Sequence, residues 1–160
     1  LLPQLLERAG TSEHGSITGL FTVLVEADDM NDPIADATRS ILDGHIVLTR
    51  ELATQNHYPA IDVLESVSRL NRDLLTPEQL KLAVAARESL ATYRKNQDLI
   101  NIGAYPAGSN PAIDLSIRLH EPLNRFLRQN VNEGFPTAQS WKLLTGTLST
   151  PPEKPAVIKK

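Results

Sequence analysis

The sequence holds few side chains that could do chemistry, and they are scattered. Histidines stand at 14, 45, 57 and 120, and no two have the spacing of a helical metal site. Solvated or structural histidines are the default reading. Cysteine is absent, which excludes disulfides, thiolate metal sites and a cysteine nucleophile. No serine sits in the glycine pattern of a nucleophile elbow. No GxxxxGK[ST] stretch exists to cradle a triphosphate. Two features remain. EADDMNDP sets Glu26, Asp28, Asp29 and Asp32 close together. It reads as a cation loop without the full ligand set of an EF-hand, as a solvated turn with a helix cap, or as a contact loop for a basic partner. HYPAIDVLESVSR ends on Arg69, with no acid directly beside it. By composition alone Arg69 is a surface arginine. The residues alone assign it no further role.

These residues must be carried by an α/β segment followed by helices. SITGLFTVLVE (16 to 26) is rich in β-branched and apolar residues and reads as a buried strand. Asp32 can cap a short helix, IADATRSIL, with Pro33 at its first position. HIVLTR reads as a second strand and RELATQN as a second helix, an alternation that suggests the tail of an α/β sheet. Thr76-Pro77-Glu78-Gln79 is a capping-box signature, and a long helix is expected from Pro77 to about Ile102. Leu80, Ala83, Val84, Leu90 and Ala91 form its expected apolar stripe. AYPAGSNP is a turn, and a second helix begins at Pro111 with Pro122 expected to break or restart it. Arg118, Arg125 and Arg128 read as a charged outer face. The expected organisation is an α/β part over 1–75, a helical domain over 76–135 and a flexible tail over 136–160, within which FPTAQSWKLLTG can form one short helix.

Bulk properties narrow the class of partner. The 160 residues are 41% apolar but only 4% aromatic, so the core is built mainly from Leu, Ile, Val and Ala. A net charge of -3 lacks the basic footprint of a nucleic-acid binder. No apolar run approaches the ~20 residues that span a bilayer, and no signal-peptide pattern is visible. LLPQLLERAG opens on Leu1 as the end of a helix, with Gly10 at its C-cap, which marks the chain as an expected fragment.

Several long strings carry a resemblance. GSITGLFTVLVEADDMNDPIADATRSILDGHIVLTRELATQNHYPAIDVLESVSR resembles the C-terminal part of the nucleotide-binding domain of the flagellar and type III secretion export ATPases, in the rotary ATPase superfamily. YRKNQDLINIGAYPAGSNPAID and FLRQ are similar to the helical C-terminal domain of that family, and the match runs in order over residues 1 to 131. The flagellar branch is favoured by ATYRKNQDLINIGAYPAGSNP; the virulence-secretion branch is the alternative. VLVE and SVSR depart from the catalytic chain of ion-translocating synthases, which resembles STSR there.

The resemblance implies the C-terminal part of a RecA-like P-loop ATPase domain plus a small helical domain. It implies a homohexamer that hydrolyses ATP with Mg2+ at subunit interfaces, coupled to protein export. The P-loop, the magnesium-binding strand and the water-polarising glutamate would lie upstream, so this chain alone is expected to be inactive. Arg69 matches the arginine finger that reaches into the neighbour's site. Tyr58 matches the tyrosine stacked on adenine, with Pro59 fixing the chain after it. Val131 falls where F-type relatives place a second aromatic against adenine. Asp28, Asp29 and Asp32 match the loop that faces the central stalk. GAYPAGSNPAID replaces the acidic lever of F-type relatives and keeps one acid, Asp114. Ala27 and Asn71 depart from the usual Gly and Met. A peripheral stator, export substrates and their chaperones are further implied partners, at the cytoplasmic face of the inner membrane. The competing expectation is a truncated paralogue that docks on a ring or stalk without chemistry.

Overall fold

The computed structural model describes residues 2–25 and 33–149. Helix α1 (Leu2–Leu6) leads into a small antiparallel hairpin of β1 (Gly10–Ser12) and β2 (Gly15–Ile17). Gly10 thus opens a strand and is not the cap of α1. The expected strand over 16–26 stops at Ile17. Among the described residues nothing pairs with it further, and Leu20 and Leu24 are 94% and 92% exposed. An apolar β-rich run forms a strand only where a neighbour supplies a ladder and a face to cover it.

Helix α2 (Pro33–Ile41) has Pro33 at its first position and buries Ala35 and Thr38. Strand β3 (Gly44–Leu48) follows, then helix α3 (Arg50–Thr54), whose first turn is closed by the Thr49 hydroxyl accepting from Leu52 N at 3.3 Å. The chain returns as β4 (Ile61–Ser68), antiparallel to β3. No strand was expected there. The cause is an irregularity in β4 itself: His45 pairs with Val67 but Val47 pairs with Asp62, so residues 63–66 stand opposite Ile46 alone. Such a bulge destroys the period-two alternation that marks a strand.

After the short α4 (Asn71–Leu74), the helical unit begins at α5 (Pro77–Asn101). Its start follows from the capping box: Thr76 Oγ1 accepts from Gln79 N at 3.3 Å and Gln79 Oε1 accepts from Thr76 N at 3.0 Å. Asn110 caps α6 (Pro111–Leu127) through Oδ1, which accepts from Ala112 N at 2.9 Å. Pro122 lies inside α6 without ending it. An interior proline costs about 3 kcal/mol. Leu119 and Leu123 flank it and are both buried, each worth about 1.5–3 kcal/mol, which offsets that cost.

The core joins Ala86 of α5, Leu119 and Leu123 of α6, and Leu144 of α7 (Thr137–Leu148). Leu82, Leu90, Phe126, Trp141 and Leu148 close around it. The buried stripe of α5 runs through Leu82, Ala86, Ser89 and Leu90, so the expected stripe is rotated: Val84 is exposed. The expected tail boundary is also corrected. Residues 137–148 are helical, and Leu144 is as buried as the rest of the core, so the helical unit extends past 135 to Leu148.

Candidate functional site

Arg69 follows the last residue of β4, and its backbone N–H donates to Asp43 O at 2.8 Å. Its side chain is exposed but not idle. Nη2 donates to the carbonyls of Arg39 and Ser40, at 3.3 and 3.4 Å. Those carbonyls belong to the last turn of α2, where backbone acceptors have no partner within the helix. The sequence showed no acid beside Arg69; its partners are instead backbone oxygens some thirty residues away. Both bonds are long, and the guanidinium rests on its own protomer within reach of solvent.

Tyr58 lies just before β4, in a cis peptide with Pro59. Tyr58 is 54% exposed, while the preceding His57 is buried, at 4%. The Tyr58 carbonyl is held by the segment after α6, through Gln129 N. That segment is braced by Glu133, which accepts from Asn130 N at 2.9 Å and from Asn130 Nδ2 at 3.0 Å. These bonds hold the Glu133 carboxyl below its ordinary range. Val131 stands at the tip of the turn, fully exposed. Tyr58 and Val131, 73 positions apart in the sequence, thus belong to two segments joined by a backbone bond. Asp28, Asp29 and Asp32 lie outside the described residues. Asp114 is occupied locally: it accepts from Tyr105 Oη at 3.0 Å and from Gly108 N at 3.1 Å, which shapes the 105–110 turn.

Between the α/β part and the helices lies a cavity of about 290 Å³, lined by His57, Asp62, Tyr93, Arg94, His120 and Arg128 among others. Tyr93 and His120 stack at 3.5 Å. Asn124 Nδ2 lies 3.0 Å from His120 Nε2, leaving that nitrogen as the acceptor. Burial lowers the pKa of both His57 and His120; Arg128 lowers that of His57 further, and Glu121 partly opposes the shift of His120. Asp62 is buried and carries three bonds. Its Oδ1 accepts from Leu64 N (2.9 Å) and Glu65 N (3.1 Å), and its Oδ2 accepts from Arg94 Nη2 at 2.8 Å. Arg94 also reaches Glu65 Oε1 at 3.4 Å.

The carbonyls of the bulge are satisfied in the same way, by side chains. Arg87 donates to Val63 O, to Ser66 O at 3.2 Å and to Leu64 O at 3.1 Å. His45 Nε2 lies 3.0 Å from Glu65 O and must carry the proton there. Sequence reasoning missed Asp62, Arg87 and Arg94. The seven-residue spacing of the two arginines, two turns on one helix face, was the available signal.

Residues 1–68 match the model of the ATP synthase alpha/beta family, nucleotide-binding domain. Residues 75–146 match the T3SS EscN ATPase C-terminal domain. The chain therefore joins a stretch matched to that nucleotide-binding domain family to one matched to that helical C-terminal domain. Among relatives, the chain is 47% identical over 153 residues to the type 3 secretion system ATPase of Pseudomonas syringae pv. syringae, covering 96% of this chain and 34% of that protein. It is 50% identical over 145 residues to the flagellum-specific ATP synthase of Bacillus subtilis, covering 91% and 33%. It superposes on the assembled ATPase EscN of the enteropathogenic E. coli type III secretion system with a TM-score of 0.88 at 44% identity, covering 92% of this chain and 36% of that one. Over nearly its whole length the chain is similar to flagellar and type III secretion ATPases. It spans about a third of the length of the curated relatives it matches.

Proposed function

We propose that this chain is the C-terminal third of a flagellar export ATPase subunit, which hydrolyses ATP at the interfaces of a homohexameric ring to drive type III protein export. Tyr58 stacks on the adenine in its own subunit, with Val131 closing the opposite edge. Arg69 leaves the end of α2 and reaches the neighbour's site, where its fork neutralises charge gathering on the transferred phosphoryl group. The observation that supports this best is the arrangement along β4. An exposed aromatic ring lies before one end and an exposed guanidinium after the other, so one strand can serve two sites. Relatives of both branches match at similar identity, 47% and 50%. The flagellar assignment rests on ATYRKNQDLINIGAYPAGSNP.

Among the described residues no group of three or more His, Asp or Glu could hold a metal ion. The P-loop and the water-polarising group belong to the upstream part of the subunit. EscN has been solved as an assembled ATPase and in complex with its central stalk EscO. By likeness, the ring binds a central stalk, with Asp28, Asp29 and Asp32 offered as its acidic contacts. A peripheral stator, export substrates and chaperones complete the apparatus on the cytoplasmic side of the inner membrane.

The test is a split between binding and turnover in rings of the complete subunit. Tyr58→Ala is expected to weaken nucleotide affinity with little loss of maximal rate. Arg69→Ala is expected to bind ATP normally and lose roughly 10³-fold or more in kcat, the usual worth of such a finger and about 4 kcal/mol or more of barrier. Unchanged affinity in the first and unchanged kcat in the second would refute the assignment.

A further inference from the structure

The bulge in β4 lies midway between Tyr58 and Arg69, and the helical unit grips it through two arginines. Residues 63–66 have lost their place in the ladder with β3. Three of their four carbonyls are taken by the guanidinium of Arg87. The amides of Leu64 and Glu65 are taken by Asp62, whose other oxygen is taken by Arg94. Arg87 and Arg94 stand two helical turns apart on α5, about 10 Å along its axis. They engage the strand at two points, which fixes its rotation as well as its distance from the helix. The same strand ends at Arg69, whose N–H is tied to Asp43. Its other end leads back to Tyr58, whose carbonyl is tied to the helical unit through Gln129.

We propose that Arg87 and Arg94 are positioning residues for hydrolysis: they couple the helical unit to the β4 bulge, and through it set the reach of Arg69 into the neighbouring site and the seat of Tyr58 in its own. Neither touches nucleotide. A shift of α5 is passed to both ends of β4 at once, so movement of the helical unit alters two adjacent sites together. A fork on three carbonyls suits this task better than an apolar contact, because it is directional and is lost when the strand slips by one residue. The proposal rests on the reading of Tyr58 and Arg69 given above.

The test uses hexameric rings of the complete subunit carrying Arg87→Met, Arg94→Met, Arg69→Ala or, as a destabilised control, Leu123→Ala. Thermal unfolding, ring assembly, KM for ATP and kcat are measured on each. Both methionine variants are expected to lose at least tenfold in kcat, through Arg69, and to raise KM for ATP, through Tyr58. Leu123→Ala is expected to lower the unfolding temperature at least as much while keeping kcat within twofold. If kcat falls in step with unfolding temperature across all variants, the arginines are merely structural and the proposal is overturned. If Arg87→Met keeps wild-type kcat while Arg69→Ala loses turnover, the coupling is wrong and the finger stands. If Arg69→Ala keeps turnover, the functional reading itself fails. Should Arg87→Met not assemble, Arg87→Lys retains the charge without the fork. Assembled Arg87→Lys rings are expected to turn over more slowly than wild type, and equal turnover there overturns the proposal.

Discussion

The backbone N–H of Gln129 donates to the carbonyl of Tyr58 at 2.9 Å, which ties the turn after α6 to the loop before β4. Like the Arg87 and Arg94 bonds to β4, it crosses between the two matched domains. On the function proposed above, the adenine-facing edge is a composite of both, with Tyr58 from one and Val131 from the other, and movement of the helices would bear on how nucleotide is held.

Val131 is fully exposed at the tip of its turn, a position that only a ligand or a neighbour would cover. Val131→Ser is expected to weaken adenine nucleotide binding about two- to fivefold in assembled rings, since it removes a modest apolar contact. Val131→Phe is expected to tighten it. Fluorescent-nucleotide titration reads both, and equal affinities in all three proteins would remove Val131 from the pocket.

Stability is expected to fall on acidification from about pH 6.5. His57 and His120 have folded pKa values below the ordinary 6.5, chiefly through burial. The unfolded chain then binds more protons than the folded one in the interval below 6.5, so unfolding is favoured as pH falls through it. Their contribution is fully present above 6.5 and is lost as pH drops from there through the folded values. Urea midpoints at pH 7.5 and 5.5 check this. His120→Gln is expected to reduce the difference between the two, and an undiminished difference would assign the acid sensitivity elsewhere.

Leu123 is 1% exposed at the centre of α5, α6 and α7. Leu123→Ala is expected to destabilise the helical unit by about 2–5 kcal/mol in denaturant unfolding. Thr76→Ala, which removes half of the capping box, is expected to cost about 1 kcal/mol. A smaller loss at Leu123 than at Thr76 would mean that the core is not where stability resides.

Legibility in the sequence followed local chemistry. Thr76, Gln79 and Pro77 announce the start of α5, and Asn110 with Pro111 that of α6, because caps are satisfied within four residues. Strand β4 was hidden because residues 63–66 break its alternation, and what holds them comes from α5, more than twenty residues on. FPTAQSWKLLTG was legible as a short helix, but the boundary at 136 was misplaced because the burial of Leu144 that joins this helix to the core has no local signal. At the site, Arg69, Tyr58 and Val131 were reached through resemblance. Composition could not separate Arg69 from an ordinary surface arginine, and its resting contact with Arg39 and Ser40 carbonyls was invisible until the fold was in hand.

Action across the subunit boundary is tested most directly by mixing. Subunits carrying Arg69→Ala are combined with subunits whose upstream P-loop lysine is replaced, each inactive as a homohexamer, and ATP turnover of the mixed rings is measured. Turnover is expected to reappear, because interfaces form that join an intact P-loop to an intact Arg69 from the neighbour. Mixed rings as inactive as either parent, with co-assembly verified, would contradict it.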